Sequence, residues 1–178
     1  MALKTEDGTG VADADAFVDR TFADTFLGDR SFTLWGEATE EDRDAAIRRA
    51  TAWLSNYYRW KGSRVKARQQ ALAWPRSGVR DGGGHTVPDD AVPVELQHAT
   101  CLAALFELGN PGGLTPSLAP NEQLKREKIG PLEFAYRDTS RPENDMSGID
   151  SSRPVVSAVQ DLVRGLVETP MAVGITVA

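Results

Sequence analysis

His85 and His98 are the two histidines of the chain and Cys101 its one cysteine, so acid–base, metal or thiol chemistry must run through them or through carboxylates. His98 shares no ligand spacing with a second histidine or an acidic cluster, and His85 stands alone in a glycine-rich loop. Neither supports a catalytic assignment. The run Asp81-Gly82-Gly83-Gly84 lacks the Gly-Lys-Ser/Thr ending and the following helix that a phosphate-binding loop needs, and reads as a flexible tip. Cys101 falls among apolar residues at helical spacing, where it acts as a small core hydrophobe. As a lone cysteine it cannot close an intramolecular disulfide, which fits a chain made in a reducing cytoplasm. With no nucleophile elbow, paired carboxylates in an apolar setting or cofactor fingerprint, an enzyme is the least supported class, and no cofactor or metal is expected.

The basic residues carry more information. From residue 45 to residue 80 the chain has nine of them (Arg48, Arg49, Arg59, Lys61, Arg64, Lys66, Arg68, Arg76 and Arg80) and no Asp or Glu, although the net charge is -6. Everything outside this run holds 11 basic against 26 acidic side chains. Such asymmetry suits a phosphate-tracking surface, one half of a self-complementary subunit interface, or a solvated face. Trp53, Tyr57, Tyr58, Trp60 and Trp74 are interleaved with it, and aromatic rings between cations are what single-stranded-DNA binding requires. Their spacing argues otherwise. Trp53, Tyr57 and Trp60 share helical faces with Ile47, Ala50 and Leu54, which places them in a core stripe. Tyr58 and Trp74 are left as possible stackers. Trp74 precedes Pro75 and is better placed to anchor the stretch 71–79, which joins two helices as a hinge.

The elements that must position these groups follow from periodicity. A chain of 178 residues with 40% hydrophobic content supports one core, and no run approaches the roughly 18 apolar residues that span a bilayer. Residues 1–12 read as a loop or short arm that needs a partner to be ordered. A first helix is expected over residues 20–30, capped by Asp19, with Phe22 and Phe26 one turn apart. Thr39 and Asp42 approximate a capping box before the clearest helix, whose stripe runs Ile47, Ala50, Leu54 and Tyr57. Residues 63–70 continue as a basic turn or short helix, and 78–91 as a loop. Pro93 opens a third helix marked by Leu96, Ala99, Ala103 and Phe106. Strict alternation of Leu132, Phe134 and Tyr136 after Gly130-Pro131 predicts a β-hairpin over 123–137 with its turn at Gly130. After a polar linker over 138–153, Pro154 and the stripe Val155, Val159, Leu162, Val163, Leu166 predict a final helix to about residue 168. The predicted fold is mainly α: a small helical bundle of about four helices with one β-hairpin and extended N- and C-terminal arms. One domain spans 1–168, and 169–178 is an apolar, β-prone extension that calls for a cover.

Five short motifs carry a resemblance. Glu6-Asp7-Gly8-Thr9-Gly10, Tyr58-Arg59-Trp60-Lys61-Gly62, Ala71-Leu72-Ala73-Trp74-Pro75-Arg76, Val92-Pro93 with Ala99-Thr100-Cys101, and Lys125-Arg126-Glu127-Lys128-Ile129-Gly130-Pro131-Leu132 occur in the same order in a phage and prophage family. Its members are often labelled DnaT-like single-stranded-DNA-binding proteins, and they look like the head–tail adaptors of tailed bacteriophages and gene transfer agents. The similarity covers roughly residues 2–168; a polar insertion around 141–152 and the extension after Glu168 depart from it. The resemblance implies a virion protein of the neck, made in the host cytoplasm: a ring of copies, a dodecamer, bound beneath the portal and continuing the DNA channel to the tail. Its expected partners are the portal protein, neighbouring copies, a stopper or tail-completion protein, and double-stranded DNA passing without sequence-specific binding; no membrane is involved. Portal or subunit contacts are expected at Arg64, Lys66, Arg68, Arg76, Lys125, Arg126, Lys128, Met171, Val173 and Ile175, with Trp53, Trp60, Trp74, Pro75 and Gly130 as structural anchors. The alternative is a single-stranded-DNA-binding protein of a phage or prophage.

Overall fold

Asp19 starts the first helix, α1 (Arg20–Gly28), because its carboxylate accepts the Phe22 amide at 2.7 Å and satisfies one of the donors that a helix start leaves open. The computed structural model describes residues 2–115, 126–129, 132–135 and 155–168. A short helix, α2 (Thr33–Glu37), follows; it has one buried residue, Trp35, whose indole donates to Asp24 at 2.8 Å. This helix was not expected, because five residues are too few to show a periodic stripe.

The long helix α3 (Glu40–Tyr57) is capped as its sequence predicts. The Thr39 hydroxyl accepts the Asp42 amide at 3.2 Å and donates to the Asp42 carboxylate at 2.8 Å. Its 18 residues make a rod of about 27 Å at ~1.5 Å per residue. Ala46, Ile47, Ala50, Trp53 and Leu54 bury one face of it against α4 (Val94–Gly109), which contributes Leu96, Ala99, Cys101, Ala103 and Phe106. Both helices bury alanines beside larger residues, which permits close approach, and together they form the centre of the core. Beyond α4 the chain turns back over Glu107, a buried carboxylate that meets Arg49 at 2.7 Å and accepts the amides of Gly112 and Leu114.

Two small sheets complete the described fold. Strands β1 (Ser63–Arg64) and β2 (Arg76–Ser77) pair antiparallel with Arg64 opposite Arg76. Strands β3 (Arg126–Ile129) and β4 (Leu132–Ala135) form the expected hairpin, with Ile129 opposite Leu132. The final helix differs from expectation. Val155–Val156 form strand β5, which joins β4 through the pair Phe134 and Val156, and α5 (Ser157–Val163) covers only the middle of the predicted span. Val159, Val163 and Leu166 of the predicted stripe are buried, whereas its first residues, 155–156, are strand and not helix.

The N-terminal segment also departs from expectation. Rather than waiting for a partner, residues 2–18 lie on their own domain: Thr5 bridges Ala16, the Glu6 amide donates to the Ala16 carbonyl at 2.9 Å, and Phe17 and Val18 enter the core. The mainly helical architecture with a hairpin is as predicted, with five described helices in place of about four. The turn at Gly130, the linker 138–153 and the extension 169–178 lie outside the described residues.

Candidate functional site

The nine cations of the basic run divide by what they touch. Arg48 meets Asp15 at 2.7 Å and also donates to the Ala2 carbonyl; Arg49 meets Glu107, and Arg59 meets Glu168 at 3.6 Å. Arg80 donates to the Gly84 carbonyl at 2.8 Å. Lys61 reaches the Gly165 carbonyl at 2.6 Å and the Arg80 carbonyl at 3.3 Å, while its own amide donates to Leu166. Arg76 is the most committed. Its guanidinium donates to the carbonyls of Lys61 at 2.7 Å, Ala73 at 3.2 Å and Trp60 at 3.3 Å, and to that of Gly62. Burial, and then the neighbouring Arg64, hold its pKa below the ordinary guanidinium range. A side chain bound to four backbone carbonyls is a fastener of the fold, which revises the expectation that Arg76 faces a neighbouring protein.

Arg64, Lys66 and Arg68 remain. All three are exposed, and none makes an ion pair among the described residues. They stand on a turn that is locked from beneath by Gln70, which is 3% exposed. Its amide donates to the carbonyls of Leu72 at 3.0 Å and Pro75 at 3.1 Å, and its oxygen accepts the Lys66 amide at 2.9 Å. The Val65 amide reaches the Pro75 carbonyl, and Ala71 donates to Val11 of the N-terminal segment. That segment is itself organised by Glu6, a buried carboxylate accepting the amides of Gly8 at 3.0 Å, Gly10 at 2.8 Å and Val11 at 2.9 Å. Gly62 is required where the turn leaves α3: its φ is 68°, and a Cβ there would lie 2.2 Å from the Ser77 carbonyl oxygen. Sequence reading missed Glu6 and Gln70. A carboxylate just before a Gly-x-Gly run was the available signal for the first, and nothing local marked the second.

The aromatic residues of the run face inward. Trp53, Trp60 and Trp74 are 5%, 5% and 0% exposed, and Trp60 meets Trp74 edge-on at 5.9 Å, following a peptide bond between Trp74 and Pro75 that is cis. Tyr58 packs between Trp53 and Trp60 and contacts Tyr57, and burial raises its phenol pKa. Trp53, Trp60, Trp74 and Pro75 are all buried. Arg126 and Lys128 lie on β3, opposite Ala135 and Glu133 in register. Lys125, Gly130, Met171, Val173 and Ile175 lie outside the described residues.

At the other end of α3 an open cleft of about 350 Å³ is lined by Leu3, Asp19, Arg20, Glu40, Glu41 and Asp44. Arg20 spans it, 2.9 Å from Glu40 and 3.4 Å from Asp44.

The groups with catalytic potential are placed for packing. His98 stacks on Phe26 at 4.4 Å; burial and then Arg30 lower its pKa. Cys101 is buried, and its thiol is pushed up to about 12 by desolvation, far from a reactive thiolate. Asp81 organises the glycine tip by accepting the amides of Gly83 and His85 at 2.8 Å each. Among the described residues no group of three or more His, Cys, Asp or Glu is placed to hold a metal, and no helix is long and apolar enough to cross a membrane.

These features define a mainly helical domain in which Glu6, Gln70 and Arg76 act as internal fasteners around an exposed basic turn. The chain belongs to the family described as "Putative DnaT-like ssDNA binding protein", whose family model matches residues 1–177. The curated proteins and the solved structures give no significant match.

Proposed function

We propose that the chain is a structural head–tail adaptor of the tailed-phage type: a ring of copies seated below a portal, continuing the DNA channel toward the tail and meeting a stopper or tail-completion protein. The observation that carries this reading is the placement of the aromatic residues. Base stacking on single-stranded DNA needs exposed rings between the cations. Here Trp53, Trp60 and Trp74 are buried, and Tyr57 and Tyr58 are half-buried in one aromatic cluster with Trp53 and Trp60. What the surface offers instead is a rigid, charged turn, which suits contact with another folded protein. In this role the chain performs no catalysis and meets DNA only as a passing polyanion.

The family description favours a second reading, single-stranded-DNA binding, in which Arg64, Lys66 and Arg68 track phosphates without stacking. One set of measurements separates the two. Light scattering at several protein concentrations, alone and with the cognate portal, is expected to show ring-sized assemblies, at least on the portal. Fluorescence anisotropy with labelled oligonucleotides is expected to show only weak binding. A chain that stays monomeric and ignores the portal, yet binds oligonucleotides with a steep salt dependence, overturns the adaptor reading and supports the second.

A further inference from the structure

The basic turn and the acidic cleft lie at opposite ends of the same helix. α3 begins at the cleft with Glu40, Glu41 and Asp44 and ends at Tyr57, after which five residues lead to the turn at Ser63. Their charges match in number. The turn carries Arg64, Lys66 and Arg68, whereas Asp19, Glu40, Glu41 and Asp44 in the cleft face Arg20 alone. The turn also carries an apolar group where a contact would need one. Val65, between two of the cations, is 42% exposed, one of only three large hydrophobic residues exposed among the described residues. Leu3, half-buried, lines the cleft.

We infer that the basic turn of one copy docks into the acidic cleft of a second copy, with Val65 against Leu3 and the cations around Glu40 and Glu41. Surfaces at opposite ends of one rod meet only between copies. Joined head to tail, each added copy presents the same free turn and free cleft again, and the mass then grows with concentration; a reciprocal two-fold pair would stop at the dimer. The backbone of the turn is already held by Gln70, Pro75 and Val11, so docking orders side chains and not the loop, which lowers its entropic cost. Charge at the rim and an apolar centre is the usual anatomy of such contacts. This deepens the adaptor reading by naming which surfaces join neighbours, but it needs no portal to be tested.

The test uses the full chain in two charge-reversed forms, one with R64E, K66E and R68E, the other with E40K and E41K; both sets are exposed, and the second gives up the Arg20–Glu40 pair while leaving Asp44 to hold Arg20. Sedimentation velocity from micromolar to millimolar concentration at low salt is expected to show mass growing with concentration for the natural chain and self-association at least tenfold weaker for each reversed form. An equimolar mixture of the two is expected to recover heteromeric pairs, because the reversed turn meets a natural cleft only repulsively and a reversed cleft attractively. A natural chain that stays monomeric throughout, reversed forms that associate as it does, or a mixture that shows no recovery each overturns the proposal. Loss of oligonucleotide binding in the turn variant with self-association unchanged also overturns it, assigning the turn to phosphates. Failure to bind a portal would overturn the adaptor reading while leaving a positive result here intact.

Discussion

Glu6 is a carboxylate at 4% exposure that makes no ion pair among the described residues; its oxygens accept the amides of Gly8, Gly10 and Val11. Hydrogen bonds to an ionised acceptor are stronger than neutral ones, and removing that acceptor leaves buried donors unpaired. Glu6→Ala is expected to lower stability by about 3 kcal/mol, read from urea unfolding with an unchanged slope. His98 makes a pH-dependent contribution of known sign. Its folded pKa is lowered by burial and by Arg30, with Glu95 opposing, so the fold favours the neutral ring. Above the unfolded value of about 6.5 both states are deprotonated and His98 adds no pH dependence. As pH falls below that value the unfolded chain takes the proton first, and stability declines until the folded value is passed. The difference in stability between the natural chain and His98→Gln should therefore be flat above about pH 7 and narrow or widen only below about 6.5, to the disadvantage of the natural chain. A difference that stays constant to pH 5 would remove His98 from this role.

At the scale of elements, α3 was legible because its cap, its length and its apolar stripe agree, and α4 because Pro93 opens it and Leu96 to Phe106 repeat at helical spacing. Where the sequence misled, tertiary partners decided. Val155 opens the apolar stripe read for the last helix, yet pairing with β4 draws it and Val156 into a strand. The polar, glycine-rich start reads as a free arm, since no local pattern reveals that Glu6 gathers its amides into a fixed loop. β1 and β2 hold two residues each, below what alternation can signal, and their register depends on Gly62. Gly62→Ala brings a Cβ to 2.2 Å from the Ser77 oxygen at a left-handed φ, and should cost about 3 kcal/mol in strain and displacement. Thermal melting checks this, and a neutral result would mean that the turn can be rebuilt around a side chain.

For the molecule as a whole, the basic run was visible in the sequence and its division was not. Arg48, Arg49 and Arg59 are neutralised by Asp15, Glu107 and Glu168, partners 33 to 109 residues away that only folding brings near. Helical spacing did foretell that Trp53 points inward, since apolar neighbours one turn apart define that face; Trp60 is buried too, but beyond the end of α3, where it bridges Val167 and shares no helical face. The same arrangement gives the protein its own optical reporter. Trp35, Trp53, Trp60 and Trp74 are all the tryptophans it has, each at most 5% exposed, with Trp60 and Trp74 edge to face inside the core. Intrinsic emission therefore registers loss of the core and stays blind to events at the surface. A partner that leaves this emission and its shielding from soluble quenchers unchanged has bound to a folded, rigid subunit; one that shifts the emission has opened it.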